Sequence, residues 1–308
     1  MSSSSSSKAS NGGEQLVCVT GAGGFIGSWV VKELLLRGYR VRGTARDPGD
    51  NKNAHLLALE GARDRLTLCR ADVLDYDSLR AAFIGCHGVL HVASPVSNSP
   101  ELVPVAVEGT RNVINAAADE GARRVVFTSS YGAVHMDPNR SPDAVLDETC
   151  WSDYEFCKQT HNLYCCAKMM AEITAAEQAA ARGLQLAVDR WSYPNAVAAY
   201  VDVRDVARAH VLAYERPAAR GRYLCIGTVL HRAQLVAMLR ELFPQYPVTA
   251  KCEDDGKAMA KPYKFSNQRL KDLGLEFTPL KKSLYEAVVC MQKKGHLPVI
   301  QQQQRAYL

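Results

Sequence analysis

Two tyrosine–lysine pairs stand four residues apart in the middle of this chain, Tyr154 with Lys158 and Tyr164 with Lys168. Positions i and i+4 share a helix face, so each lysine can reach the phenol before it. A phenol, with an ordinary pKa of about 10, handles protons poorly at neutral pH. An ammonium beside it favours the phenolate and draws it towards the working range. A third group comes from Phe127-Thr128-Ser129-Ser130, where Ser130 can donate a hydrogen bond to a carbonyl oxygen as negative charge gathers there. Together these side chains suit hydride attack on a carbonyl, with tyrosine supplying the proton and lysine holding the hydroxyls of a nicotinamide ribose. Spacing does not choose between the two pairs, and either also reads as a plain structural contact.

The hydride donor points to Leu16–Gly27, LVCVTGAGGFIG. An apolar run, Leu16 to Val19, predicts a buried strand, and apolar residues at helical spacing resume from Trp29. Between them Gly21 allows a tight turn, Gly24 lets backbone approach a phosphate, and Gly27 lets the helix pack on the strand. Pyrophosphate would then meet the N–H groups of Phe25 and Ile26 at the positive end of the helix. The spacing is GxxGxxG, one residue wider at its first step than GxGxxG. About 20 residues further on, where an NAD enzyme places an acid, the chain carries Arg46, with Lys52 following. A guanidinium suits a 2′-phosphate, so NADP(H) is favoured; adjacent Asp47 leaves NAD open, and a solvated loop charge is the alternative.

The elements that must position these groups alternate. Strands are expected at Tyr39–Thr44, Arg65–Cys69, Gly88–Ala93, Arg124–Thr128 and Leu184–Val188. Helices are expected at Asp77–Ile84, Val103–Gly121 and, as one long element, from about Asp153 to Arg182. That order predicts an α/β fold with a doubly wound parallel sheet of Rossmann type. Ligands of such sheets lie at the strands' carboxyl ends, where Asp72-Val73, Val92-Ala93-Ser94 and Ser130 fall. Asp72 suits an adenine amino group, or equally an N-cap or turn. Beyond, a short strand leads into a helix near Tyr200–Tyr214, then come a strand at Arg222–Ile226 and helices at Arg232–Leu242 and Lys281–Lys294.

The 308 residues carry 47% hydrophobic and 22% charged side chains and a net charge of +5, which is ordinary for a globular protein. No basic tract suggests nucleic acid, and no apolar run suits a membrane. Met1–Asn11 is serine-rich with no apolar core, so residues 1–15 read as a disordered leader and not a signal peptide. The ten cysteines are therefore expected reduced, in the cytoplasm, and none is spaced for a metal. Cys157 and Cys165, on one continuous helix, would stand roughly 12 Å apart, too far to bond unless the helix opens. Residues 301–308 read as a polar tail.

TGAGGFIG, FTSS and Tyr164-x-x-x-Lys168 together resemble the extended short-chain dehydrogenase/reductase superfamily. Within it, GTARDP with Lys52-Asn53-Ala54-His55-Leu56, HVASPV, MDPNR, ETCWSDYEFCK, NLYCCAK, AYVDVRDVARAH and PYKFSNQRLKDLGLEFTPL resemble plant cinnamoyl-CoA reductases. The likeness covers nearly everything from Leu16 to Pro298. It implies Ser130, Tyr164 and Lys168 as the catalytic triad, with Tyr154 a bystander. It implies an NADP site at the glycine turn, Arg46, Lys52, Asp72-Val73 and Val92-Ala93-Ser94. It also implies reduction of hydroxycinnamoyl-CoA thioesters to aldehydes on the route to lignin monomers. Dihydroflavonol or other ketone reduction is the alternative within the superfamily, and a non-catalytic NADP-binding protein the alternative outside it.

The chain departs from that pattern in two places. Leu163, Cys166 and Ala167 stand where the family has Trp, Tyr and Gly. After Val188, where Asp189 and Arg190 interrupt an apolar strand, the chain passes directly to Ser192-Tyr193-Pro194-Asn195-Ala196. Several dozen residues that would wall the substrate pocket are thus missing. The expected organisation is a Rossmann domain over 16–188 and a truncated substrate region over 189–300, with the 200–214 segment returning to the first domain. Lys251, Lys257, Lys261, Lys264 and Arg269 suit coenzyme A phosphates, or simply a solvated face.

Overall fold

The structure, a computed structural model, describes residues 15–300 except 96–98, 100, 142, 183–184, 191–196, 247 and 249–260. The serine-rich leader, the polar tail, Lys251, Lys257 and the Ser192–Ala196 junction lie outside the described residues.

β1 (Leu16–Thr20) leads into α1 (Phe25–Leu36), β2 (Arg40–Ala45), short α2 (Ala54–Leu57) and α3 (Ala62–Arg65), β3 (Leu66–Arg70), α4 (Tyr76–Phe83), β4 (Gly88–His91), α5 (Leu102–Asp119) and β5 (Arg124–Ser129). Then come β6 (Val145–Leu146), α6 (Tyr154–Gln159), α7 (Leu163–Ala181), β7 (Gln185–Arg190), β8 (Val197–Tyr200), α8 (Val203–Glu215), β9 (Gly221–Arg222), β10 (Thr228–His231), α9 (Arg232–Leu242), β11 (Lys264–Phe265), α10 (Gln268–Asp272) and α11 (Leu280–Lys293).

Seven strands form one parallel sheet in the order β3-β2-β1-β4-β5-β7-β9. Successive strand residues point to opposite faces, and the burial follows. Val17, Val19, Leu90 and Val126 enter a core with α1 and α8, while Cys18, Val89, Val125 and Phe127 enter another with α4, α5 and α7. Helices thus cover both faces, as the doubly wound expectation required. α8 packs within the α1 layer. β8 and β10 form an antiparallel pair and β11 pairs with β6, which builds the smaller lobe.

Two expected elements differ. The long helix over 153–182 is broken: Thr160 ends α6, His161 takes a left-handed φ of 54°, and the Asn162 side chain accepts from the Cys165 N–H to cap α7. The strand expected at Arg222–Ile226 keeps only Gly221–Arg222, because Leu224 N–H donates to the Glu148 carboxylate and not to a neighbouring strand. β7 continues through Asp189 and Arg190, pairing them with Thr128 and Ser129.

Candidate active site

A cleft of about 970 Å³ runs across the carboxyl ends of β1, β2, β3, β4 and β5, at the upper end of the size range of ligand pockets. Its floor is the glycine turn. Gly21 sits at φ +65° with no room for a side chain, since a Cβ there would lie 2.9 Å from the Ala93 Cα. At Gly27 a Cβ would lie 2.2 Å from the Gly21 carbonyl oxygen, so only glycine lets α1 start this close to the turn. Gly24 caps α1 without any side-chain hydrogen bond, and no acidic residue occupies the first turn. The helix therefore presents N–H groups and positive potential to the cleft, which suits a pyrophosphate.

Arg46 and Lys52 line one end. Both are exposed; Lys52 pairs with Asp50 at 2.7 Å, and Arg46 makes no ion pair among the described residues. Asp47, the residue that left NAD open, is turned away from the cleft. Its carboxylate accepts the Gly49 N–H and its carbonyl accepts the Asn53 amide. A 2′-phosphate here would meet the Arg46 guanidinium, with Lys52 beside it already paired to Asp50. Asn53, buried and absent from the sequence-based set, bridges this loop to the turn: a Cβ at Gly23 would lie 2.1 Å from its Oδ1. Its signal was an Asn one residue past Lys52, indistinguishable from any loop amide.

Asp72 and Val73 line the cleft beside Ala71 and Leu74. Asp72 Oδ1 accepts the Leu74 N–H, so it shapes a turn while bordering the cleft; Asp75, not Asp72, caps α4. Opposite, the Thr20 hydroxyl accepts the Val92 and Ala93 N–H groups at 3.1 Å each and meets His91 Nδ1 at 2.8 Å. Burial, and then the Lys168 charge, push His91 down to about 3. This pairing, also missed by sequence reasoning, holds Val92, Ala93 and Ser94 on the cleft wall.

At the far end stand Tyr164 and Lys168 on the first turns of α7, with Thr128 and Ser129 of β5. Ser130 is fully buried just beyond the lining and accepts the Gly132 N–H at 3.0 Å. Burial raises the Tyr164 phenol above its ordinary value, and its hydrogen bond with Ser130 pulls it back down. Lys168 Nζ lies 6.0 Å from the Tyr164 ring centre and donates to the Thr128 carbonyl at 3.4 Å. Burial lowers Lys168 to about 8, against an upward pull from Glu172. The drawn-down phenol expected from the spacing is therefore not what the free chain shows, because desolvation outweighs a cation aimed at backbone.

The structure separates the two tyrosine–lysine pairs. Tyr154 packs on Cys157, Cys165 and Cys166 outside the cleft, with Lys158 exposed. The break at His161 also corrects the Cys157–Cys165 spacing: with the helix folded back, both thiols sit in one buried cluster, and all nine described cysteines are free. Arg269 stacks on Tyr223 and donates to the Arg220 and Arg222 carbonyls, so it is a structural cation. Among the described residues no helix is long and apolar enough to cross a membrane, and no His, Cys, Asp and Glu group could hold a metal.

The NAD dependent epimerase/dehydratase family matches residues 17–193. Cinnamoyl-CoA reductase 1 of Oryza sativa subsp. japonica is 77% identical over 327 residues, covering 97% of this chain and 97% of that protein. Cinnamoyl-CoA reductase 1 of Petunia hybrida is 57% identical over 314 residues, 92% and 94% of the two chains. Among solved structures, vestitone reductase from alfalfa superposes with a TM-score of 0.79 at 28% identity, over 92% of this chain and all of that one. The chain belongs to the NAD dependent epimerase/dehydratase family, on the branch that holds the plant cinnamoyl-CoA reductases.

Proposed function

We propose that this protein is an NADPH-dependent reductase of hydroxycinnamoyl-CoA thioesters, with Ser130, Tyr164 and Lys168 as its catalytic groups. The observation that carries the proposal is the cleft itself. It has Arg46 and Lys52 at one end and Tyr164 and Lys168 at the other, on a chain 77% identical to a rice cinnamoyl-CoA reductase. NADPH would lie along the glycine turn and supply the hydride.

The chain's own part is proton handling and orientation. The Ser130 hydroxyl stands close enough to Tyr164 to lower its proton affinity, so one carbonyl oxygen can be held by both. A carbonyl oxygen gaining charge takes its proton from the phenol, whose raised affinity for the proton keeps it charged with one until that moment. Lys168, anchored at the Thr128 carbonyl, is placed to hold ribose hydroxyls and to stabilise the phenolate left behind. Expulsion of the thiol then gives the aldehyde.

One observation favours a second reading, in which cofactor binding survives and thioester reduction is impaired. The rice match runs over 327 residues, longer than the 308 of this chain, so the alignment carries gaps on this side. A segment missing after β7 would account for such gaps and would thin the substrate side of the cleft, where exclusion of water strengthens the electrostatics of hydride transfer. Titration of NADPH fluorescence and feruloyl-CoA-dependent NADPH oxidation test both readings. Tight NADPH binding with turnover supports the first, binding without turnover the second, and no binding refutes both.

A further inference from the structure

The proton-handling groups leave unused a carboxylate buried directly behind them. Tyr164, Lys168 and Glu172 recur every four residues on α7, so one helical stripe carries all three. Glu172 is 1% exposed. Its Oε2 accepts from the Ser129 hydroxyl at 2.6 Å, and its Oε1 accepts from Arg222 Nε at 2.6 Å. Arg222 also donates to the Glu148 and Cys150 carbonyls and lies over the Trp151 ring at 3.8 Å. A single network thus joins β5, α7, β9 and the 148–151 segment around one carboxylate.

A lone charge in such a place is costly, and pairing offsets only part of that cost: burial outweighs the Arg222 and Ser129 bonds and pushes Glu172 up to about 7, so it is a carboxylate above that pH. Among the described residues, two cations act on Glu172. Arg222 bonds it directly, and Lys168, one turn earlier on the same stripe, feels its field without a bond. Arg222 has further carbonyl partners and an aromatic platform; Lys168 has the Thr128 carbonyl at a long 3.4 Å.

We propose that Glu172 is a positioning residue for the reduction: on the alkaline side it is the counter-charge of the buried Lys168 ammonium, and through Arg222 it fastens the Tyr164–Lys168–Glu172 stripe to the 148–151 segment. This rests on the reductase reading of the cleft. Among the described residues, the groups facing the Lys168–Glu172 pair are Tyr164 on α7, His91 on β4, Thr128 and Ser129 on β5, and Arg222 on β9. His91 is neutral, so Glu172 is the negative charge that opposes the desolvation of Lys168. Removing it lets the lysine lose its proton at lower pH, and activity then fails earlier on the alkaline side.

The test compares wild type, Glu172→Gln and Glu172→Asp in pH profiles of kcat and KM with feruloyl-CoA, alongside NADPH affinity over the same pH range. Glu172→Gln is expected to move the alkaline limb of kcat down by about one pH unit, a loss of roughly tenfold on that limb, with KM for the thioester within about twofold. Glu172→Asp is expected between the two, and it alone carries the test if the Gln variant does not fold. A folded variant whose limb does not move, or whose kcat falls equally at every pH, overturns the proposal. If the wild type itself reduces no thioester, the reductase reading fails separately. The NADPH arm then decides: affinity lost at lower pH in Glu172→Gln supports the counter-charge, and superimposed profiles overturn it.

Discussion

Replacing Thr20 with valine would test how the cleft wall is held. The Thr20 hydroxyl has one proton to donate and two lone pairs. Both lone pairs are taken, by the N–H groups of Val92 and Ala93 at 3.1 Å, so its proton goes to His91 Nδ1 at 2.8 Å. This fixes the imidazole as the neutral Nε2–H tautomer. Valine fills the same volume and removes all three bonds. A buried group left without a partner costs about 1–3 kcal/mol. His91, 3% exposed, takes about 2 kcal/mol of that, and the two half-buried N–H groups at the cleft edge, which water can reach, about 0.5 kcal/mol each. The expected loss is about 3 kcal/mol, measured by denaturant unfolding as a lower midpoint at unchanged slope. Thr20→Ser keeps the hydroxyl and deletes one buried methyl, for about 1 kcal/mol. Because Val92, Ala93 and Ser94 line the cleft, NADPH affinity should weaken in the valine variant and hold in the serine variant. A valine variant as stable as wild type, or a serine variant as damaged as valine, would refute this account of the wall.

Three further outcomes are expected. Gly27→Ala places a methyl 2.2 Å from the Gly21 carbonyl oxygen, so the turn must shift; NADPH titration should show more than about tenfold weaker binding, with about 1–3 kcal/mol of stability lost to overpacking. Arg46→Ala should weaken NADPH by about ten- to a hundredfold, the worth of a charged hydrogen bond, and leave NADH nearly unchanged; equal losses would remove Arg46 from the 2′-phosphate. His91 is held neutral in the folded chain, down to about 3, so the unfolded chain binds the extra proton first. Its contribution is complete above about pH 6.5 and drains away as pH falls towards 3, at about 1.4 kcal/mol per unit. Unfolding at pH 7 and pH 5 should show a slope smaller by that amount in His91→Gln than in wild type, with His135, pushed down to about 4 by burial, keeping its own share; equal slopes would refute the assignment.

The sequence made one half of this site plain and hid the other. β1, its glycine turn and α1 were readable because an apolar run, three glycines and a resumed helical period each have one cheap structural solution, and Gly21 and Gly27 show why in steric terms. The choice between Tyr154 and Tyr164 was closed to spacing, since both precede a lysine by one turn. What separates them is the break at His161, and its single local signal, Asn162 three residues before Cys165, lay inside an unbroken helical pattern. The same break undid the expected distance between Cys157 and Cys165. Thr20 with His91, 71 positions apart, and Glu172 with Arg222, 50 apart, are contacts of the folded sheet. No window of sequence contains both ends.

The alternation along the sheet has an evolutionary consequence. Val17 and Val19 serve one core and Cys18 the other, so inserting or deleting a single residue in such a strand would turn each core's side chains into the opposite one. The strands therefore tolerate no change of length, whereas the crossings past their carboxyl ends, where the cleft lies, carry no such constraint. Acyl preference is then free to drift between lineages, while the spacing that carries a hydride to its acceptor stays locked in the scaffold.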